Sequence, residues 1–386
     1  MRSFYFDYNA TTPVANEVLE VFRQALTDGF GNASSIHHLG QAAKQGLENA
    51  RRQVCALLNC SPKELVFGSG GTEADNHAVF GAVPGKDKVH IITSAIEHPA
   101  VLAAVSELHR RGHEVTIVPV SSDGVVDPDD VRRALRPNTA LVSIMHVNNE
   151  IGTIQPIREI AAIAHGAGAL MHSDGVQAAG RIPVHMGELG VDLYSVSAHK
   201  MRGPKGVGAL FVRKNVAPGS LLFGGRHENG RRAGTENTPG IVAMGQAAHL
   251  AHTQLTSETQ RIADLRDRLE QGIVNSIPDV TINGARAHRV PNTTNLCFEG
   301  IEGESLVIAL DLKGFCVSSG SACSSGAVEP SHVLLALGLP KQRARSSVRF
   351  SLGYGNTVEQ VDELIVAVKE AASHLRRLSP TYTAHV

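Results

Sequence analysis

Residues 192–213, DLYSVSAHKMRGPKGVGALFVR, decide how the chain is read. DLYSVS (192–197) and GALFVR (208–213) are short apolar runs rich in β-formers, and each reads as a strand. Between them lie Ser197-Ala198-His199-Lys200 and the turn residues Gly203-Pro204-Lys205-Gly206. Ligands of open α/β sheets bind at the carboxyl ends of strands. A lysine there, in a loop of small polar residues, has two readings: a solvated side chain near a turn, or an amine that forms a Schiff base with a carbonyl. Ser197 to Lys200 also spells S-x-x-K, a serine-hydrolase pattern, but the S-D-N and K-T-G companions are absent.

Working outward, the same alternation recurs. LVFG (65–68), VHIITS (89–94), EVTIVPV (114–120), ALVSIMHV (140–147) and ALMHSD (169–174) read as strands. Helical periods fit between several of them, from Thr72, over 99–111, over 128–136 and over 156–167. Strands apolar on both faces and separated by helices predict a mostly parallel sheet covered on both sides, an α/β fold. After about residue 236 the pattern changes. Ile262, Leu265, Leu269 and Ile273 mark an amphipathic helix, and VTIN, NTTNLCFE and SVRFSL read as strands. Further helices fit 304–312, 331–337 and 357–377, so this part reads as a smaller α+β unit. The chain is expected to return to that unit at both ends, with a large domain over 15–255 and a small one from 1–14 and 256–386.

The 386 residues carry 36 Lys plus Arg against 37 Asp plus Glu, a balance that argues against a broad nucleic-acid-binding surface. Aromatics are 4% with no Trp, so base-stacking platforms are not expected either. No run of about 18 apolar residues predicts a membrane span, and MRSFYFDYNATTP lacks the apolar stretch of a signal peptide. The cysteines number five, Cys55, Cys60, Cys297, Cys316 and Cys323. An odd count without C-x-x-C predicts reduced thiols in a cytosol rather than a disulfide scaffold. Cys55, Cys60, Cys297 and Cys316 sit in apolar surroundings and read as packing residues. Cys323 lies in SSGSACSSG, whose composition reads as a surface loop, and either a reactive thiol or an idle loop cysteine fits it.

Two further stretches bear on Lys200. LVFG-SGGTE is a strand, a glycine turn and a helix start, where backbone N–H groups and Thr72 suit a phosphate. It is neither G-x-G-x-x-G nor a P-loop, so nucleotide binding is not supported. In HSDGVQ (172–177), Asp174 at a strand end reads as a helix N-cap or, beside an imine-forming lysine, as the partner of a pyridinium nitrogen. Phosphate cradle, lysine and carboxylate in one sheet converge on pyridoxal 5′-phosphate.

With these residues in view the sequence resembles the NifS/IscS-like cysteine desulfurases, within the fold-type I pyridoxal-phosphate enzymes of the aspartate aminotransferase superfamily. The motifs that carry the resemblance are DYNATTP (7–13), SGGTEADN (69–76), EHPAV (97–101), MHVNNEIGTIQPI (145–157), HSDGVQAAG (172–180), SAHKMRGPKGVGAL (197–210), RRAGTEN (231–237), SSGSACSSGAVEPSHVLLALG (318–338) and SSVRFSLG (346–353). The resemblance implies a seven-stranded, mostly parallel sheet in the large domain. It implies Lys200 as the Schiff-base lysine, Asp174 at the pyridine nitrogen and Gln177 at the cofactor O3′. His98 would stack on the ring and shuttle protons. Gly71, Thr72, Ser197 and His199 would hold the phosphate, with Thr235 donated by the neighbouring subunit of a homodimer. Asn149 and Arg349 would bind the substrate carboxylate, a task the planar guanidinium fork suits.

Cys323, on a mobile loop of about 318–330, would be the nucleophile. The implied reaction converts L-cysteine to alanine, leaves a persulfide on Cys323, and passes the sulfur to an acceptor such as an iron–sulfur scaffold or a tRNA-thiolation protein. With a free thiol pKa of about 8.5, the thiolate needs a nearby proton acceptor, and His98 is the candidate. The long segment from Cys323 to Arg349 follows the IscS-like class. Competing readings are a selenocysteine lyase or other β-lyase and a non-catalytic sulfur-carrier or assembly subunit. His37, His38 and His227 lack a metal-binding spacing, so no metal is assigned; Cys323 as an iron–sulfur ligand is the one metal role the resemblance raises.

Overall fold

The computed structural model describes residues 3–83, 85, 87–319, 329–379 and 382. The chain opens with β1 (Phe4–Tyr5), α1 (Asn16–Thr27) and α2 (His38–Leu58). The alternating region follows: β2 (Leu65–Gly68), α3 (Gly71–Gly81), β3 (His90–Ser94), α4 (Pro99–Arg110), β4 (Glu114–Val118), α5 (Pro128–Ala134), β5 (Thr139–Ser143), α6 (Ile157–Gly166), β6 (Leu170–Asp174), α7 (Met186–Leu189), β7 (Leu193–Ser197) and β8 (Gly208–Val212). After the long helix α8 (Thr238–Ser276) come β9 (Val280–Ile282), β10 (Thr293–Phe298), α9 (Gly303–Asp311), β11 (Phe315–Cys316), α10 (His332–Ala336), α11 (Lys341–Arg345), β12 (Ser347–Ser351) and α12 (Val358–Leu378).

Seven strands form the central sheet in the order β2-β8-β7-β6-β5-β3-β4. Only β8 runs against its neighbours, β2 and β7. The cause is local. A parallel return needs a crossover of a dozen or more residues, usually helical, whereas only residues 198–207 join β7 to β8. All residues of β3, β7 and β8 are buried, as strands covered on both faces require. Because β2 and β7 share a direction, the carboxyl ends of β2, β6 and β7 face one edge. That edge carries the start of α3, Asp174 and the Lys200 turn.

One expected strand is shortened. ALVSIMHV reads as continuous over 140–147, yet the strand ends at Ser143, with only the β6 side still bonded through Ile144 and His146. β3 has already ended at Ser94, and the buried Glu97 carboxylate accepts the Met145 N–H at 2.9 Å in its place.

A second sheet, β12-β10-β9, is antiparallel, and β1 pairs in parallel with β11. Ile262, Leu265, Leu269 and Ile273 of α8 pack with Phe4, Phe6, Phe298, Phe350 and the apolar face of α12. The first half of α8, with Ile241, Ala243, Met244 and Ala247, belongs instead to the core around β5–β8 and α2. Helix α8 is continuous through residues 255 and 256. From β1 the chain crosses to the central sheet, and so Asp7, Asn9 and Ala10 reach the strand-end edge. No described helix is long and apolar enough to cross a membrane.

Candidate active site

Lys200 ends a single 3₁₀ turn that continues directly from β7. It lines a cleft of about 380 Å3 together with Gly71, Thr72, Asp75, His98, Asn149, Asp174, Gln177, Ser197, His199 and Arg349. Nine of the sequence candidates therefore share one cavity with the lysine. Its amine donates to the backbone carbonyls of Asn9 and Ala10, the latter at 2.7 Å. Burial, then Arg181 and Arg349, pull its pKa down from 10.5 to about 7, against Asp174 and Asp7. Near neutral pH much of this amine is uncharged and nucleophilic, which an exposed lysine is not.

Asp174 is the last residue of β6 and is 6% exposed. Its Oδ1 accepts the Val176 N–H at 2.9 Å. Burial pushes its pKa up, while His98, that N–H and Lys200 pull it back. The following residue must be glycine, because a Cβ on Gly175 would lie 1.9 Å from the Tyr194 ring. Gln177 donates from Nε2 to the Asn9 carbonyl at 3.0 Å, and its Oε1 accepts from Arg181.

The start of α3 has no side-chain cap, so its first-turn N–H groups remain open toward the cleft. Thr72, Ser197 and His199 add side-chain donors around them. Burial, then Lys200, Lys205 and Arg181, hold His199 near 4, so the ring is neutral. A Cβ at Gly71 would sit 2.9 Å from Val176, which keeps this entrance tight. Helix terminus, hydroxyls and imidazole make a donor set that suits a phosphate.

His98 lies at the N-cap of α4, where Nδ1 accepts the Ala100 N–H at 3.1 Å. It also faces the cleft, with a ring nitrogen within 4.8 Å of carboxylate oxygens of Asp75 and Asp174. Burial lowers its pKa, so the ring is neutral above pH 7. Since Nδ1 accepts, the ring proton resides on Nε2. Arg349 of β12 is buried at 5% exposure. It donates to Asp7 Oδ1 at 2.7 Å and to the Asn149 carbonyl at 3.0 Å, and its Nε has no partner among the described residues.

Thr235 is exposed and lines a separate pocket of about 130 Å3 with Ser69, Gly206 and Arg232. Cys323 lies outside the described residues, as does most of the 318–330 segment. Its near flank reaches the cleft: Ser318 lines it and exchanges backbone bonds with Arg349. His37 caps α2 through Nδ1, and His227 lines a pocket with Arg51 and Glu228, so neither joins Lys200.

The chain matches the aminotransferase class-V family over residues 4–364. It belongs to that family. This class-V chain is 47% identical over 382 residues to "Cysteine desulfurase IscS" of Dictyoglomus turgidum, covering 98% of the chain and 97% of the relative. It is equally similar, over 381 residues, to a "Cysteine desulfurase" of Nostoc sp., covering 98% and 95%. Among solved structures, a "NIFS-LIKE PROTEIN" superposes with a TM-score of 0.91 at 38% identity, covering 97% of this chain and all of the other. "SspA in complex with cysteine" gives 0.81 at 35% identity over 90% and 98%. The class-V chain is thus an α/β, fold-type I enzyme dependent on pyridoxal 5′-phosphate.

The sequence reading missed the carbonyls of Asn9 and Ala10 and the Asp75 side chain in this cleft, and Arg181, which bonds Gln177 and lowers the Lys200 pKa. A backbone carbonyl leaves no residue-type signal. Asp75 was signalled only by its spacing, four residues after Gly71 on one helix face. Arg181 likewise follows Gln177 by four.

Proposed function

We propose that the chain is a cysteine desulfurase that converts L-cysteine to L-alanine and collects the sulfur as a persulfide on Cys323. The observation that carries this reading is one cleft holding a Lys200 amine lowered to about 7, the buried Asp174 carboxylate and an uncapped helix start. Relatives at 47% identity named cysteine desulfurase support the substrate.

Pyridoxal 5′-phosphate, when bound, supplies an electron sink for charge that develops at the substrate Cα. The α3 amides, Thr72, Ser197 and His199 would hold its phosphate, Asp174 its ring nitrogen, Gln177 its O3′, and Lys200 would carry it covalently. Thr235, exposed on its own protomer, is assigned to the neighbouring site of a homodimer.

Arg349, already aligned by Asp7 and the Asn149 carbonyl, receives the substrate carboxylate with Asn149. Once substrate has displaced it, the Lys200 amine is the base for the α-proton, because its pKa near 7 leaves a free lone pair at neutral pH. The sequence reading names His98 as the thiol's proton acceptor, and the Ala100 N–H occupies its Nδ1 lone pair. We therefore assign neutral His98 a hydrogen bond donated from Nε2–H within the cleft, with the Cys323 thiolate drawn from the fraction that is ionised near neutral pH. The Cys323 thiolate attacks the substrate sulfur; the S–S bond forms as the Cβ–S bond breaks, and the released fragment gains protons to become alanine. An acceptor protein, such as an iron–sulfur scaffold in the cytoplasm, then takes the sulfur.

The test is incubation with pyridoxal phosphate, L-cysteine and a thiol reductant. Equal amounts of alanine and sulfide are expected. A Cys323→Ser variant should keep the cofactor colour and lose sulfide. Sulfide release unchanged in that variant would refute the assignment.

A further inference from the structure

Asp75 stands in the cleft without a role in the scheme above. It lies on the second turn of α3, is 1% exposed, and its Oδ1 has no hydrogen-bond partner among the described residues. A carboxylate oxygen of Asp75 is within 4.8 Å of one of Asp174. Two buried carboxylates this close cannot both be ionised without a cation between them.

The surroundings decide which one holds the proton. Asp174 accepts the Val176 N–H at 2.9 Å, a fixed donor that favours its anion. Asp75 has only the Ser195 hydroxyl, which, unlike a backbone N–H, can accept as well as donate. The nearest ring nitrogen, His172 Nε2, is 3.6 Å away, and burial keeps that histidine neutral with a pKa near 3. The Ser195 hydroxyl bonds the Asp75 carboxyl and can receive an acid proton there. His172 braces that hydroxyl at 3.1 Å and is itself braced by Ser143 at 2.8 Å.

We propose that Asp75 is a neutral carboxylic acid in the working enzyme, a positioning residue that backs Asp174 so that a single negative charge faces the cofactor's ring nitrogen. This rests on the reading of Asp174 given above. An ionised Asp75 would add a second charge and over-stabilise the protonated ring; an apolar residue would leave Ser195 and His172 without a polar partner.

The test is infrared spectroscopy of the holoenzyme with ¹³C-carboxyl aspartate incorporated. A protonated-acid carbonyl band that shifts with the label, present over pH 6–8, is expected in the wild type and absent in Asp75→Asn. Equilibrium dialysis should give Asp75→Asn a pyridoxal-phosphate dissociation constant within about twofold of wild type, since Asn reproduces a neutral acid. A missing label-sensitive band in the wild type, needing no variant at all, overturns the proposal. So does a band that persists in Asp75→Asn, or a tenfold loss of cofactor affinity. Failure of the wild type to take up pyridoxal phosphate would sink the cofactor reading instead, while the band, read on the unloaded chain, still reports on Asp75.

Discussion

Replacing Lys200 by Met should stabilise the cofactor-free protein, and the gain should vanish with rising pH. The lysine titrates near 7 in the fold and near 10.5 when unfolded. Between those values the unfolded chain binds the extra proton, so stability of the wild type rises with pH across that window. Below pH 7 both states are charged and the full penalty of burying the ammonium applies, roughly 5 kcal/mol at 1.36 kcal/mol per pH unit. Near pH 7 it is roughly 4 kcal/mol, and above about 10.5 it is gone. The lost hydrogen bonds offset little, since Gln177 still donates to the Asn9 carbonyl. At an unfolding entropy of about 2.1 cal/mol/K per residue, the gain corresponds to roughly 4–5 °C in Tm near neutral pH. Thermal melts of both proteins, stripped of cofactor, at pH 6, 7.5 and 9 measure it. A Tm difference that is constant across the three, or a variant less stable at pH 6, would refute the reasoning.

Glu150 offers the mirror case. Burial raises its carboxyl to about 7 although the Ser331 hydroxyl bonds it. The folded state then holds the proton that the unfolded chain releases near 4.5, so stability falls as pH rises through that window. Glu150→Gln should melt higher than wild type at pH 8 and equally at pH 4. Arg51→Met strands the Glu228 carboxylate, which Arg51 now grips at 2.6 and 3.0 Å inside the protein. A loss of about 3–5 kcal/mol is expected in denaturant unfolding. Arg349→Lys removes the fork that reaches Asp7 and Asn149 together. It should raise KM for L-cysteine at least about tenfold with the cofactor absorbance unchanged.

The legible parts of the molecule are those encoded by short-range pattern. Val- and Ile-rich runs broken by helical periods gave the central sheet, and strand-end polar residues pointed to Lys200 and Asp174. Tertiary contacts were opaque. The Lys200 amine rests on carbonyls some 190 residues away, brought there because β1 pairs with β11 on the far unit. The environment of Arg349 was equally hidden: an arginine in an edge strand reads as a surface ion pair, yet here it is buried against Asp7. The His98 tautomer follows from a cap geometry that the Pro at position 99 hints at but does not specify. Helix α2 was poorly legible, because its small residues suit close packing on α8 rather than a strong apolar stripe.

The central claim is that Lys200 carries the coenzyme in the cleft beside Asp174. Borohydride reduction of the protein after incubation with pyridoxal phosphate, followed by peptide mapping, tests it most directly. The account predicts one stable phosphopyridoxyl group, on Lys200, and none in Lys200→Met. Label spread over surface lysines, or retained in that variant, would contradict it.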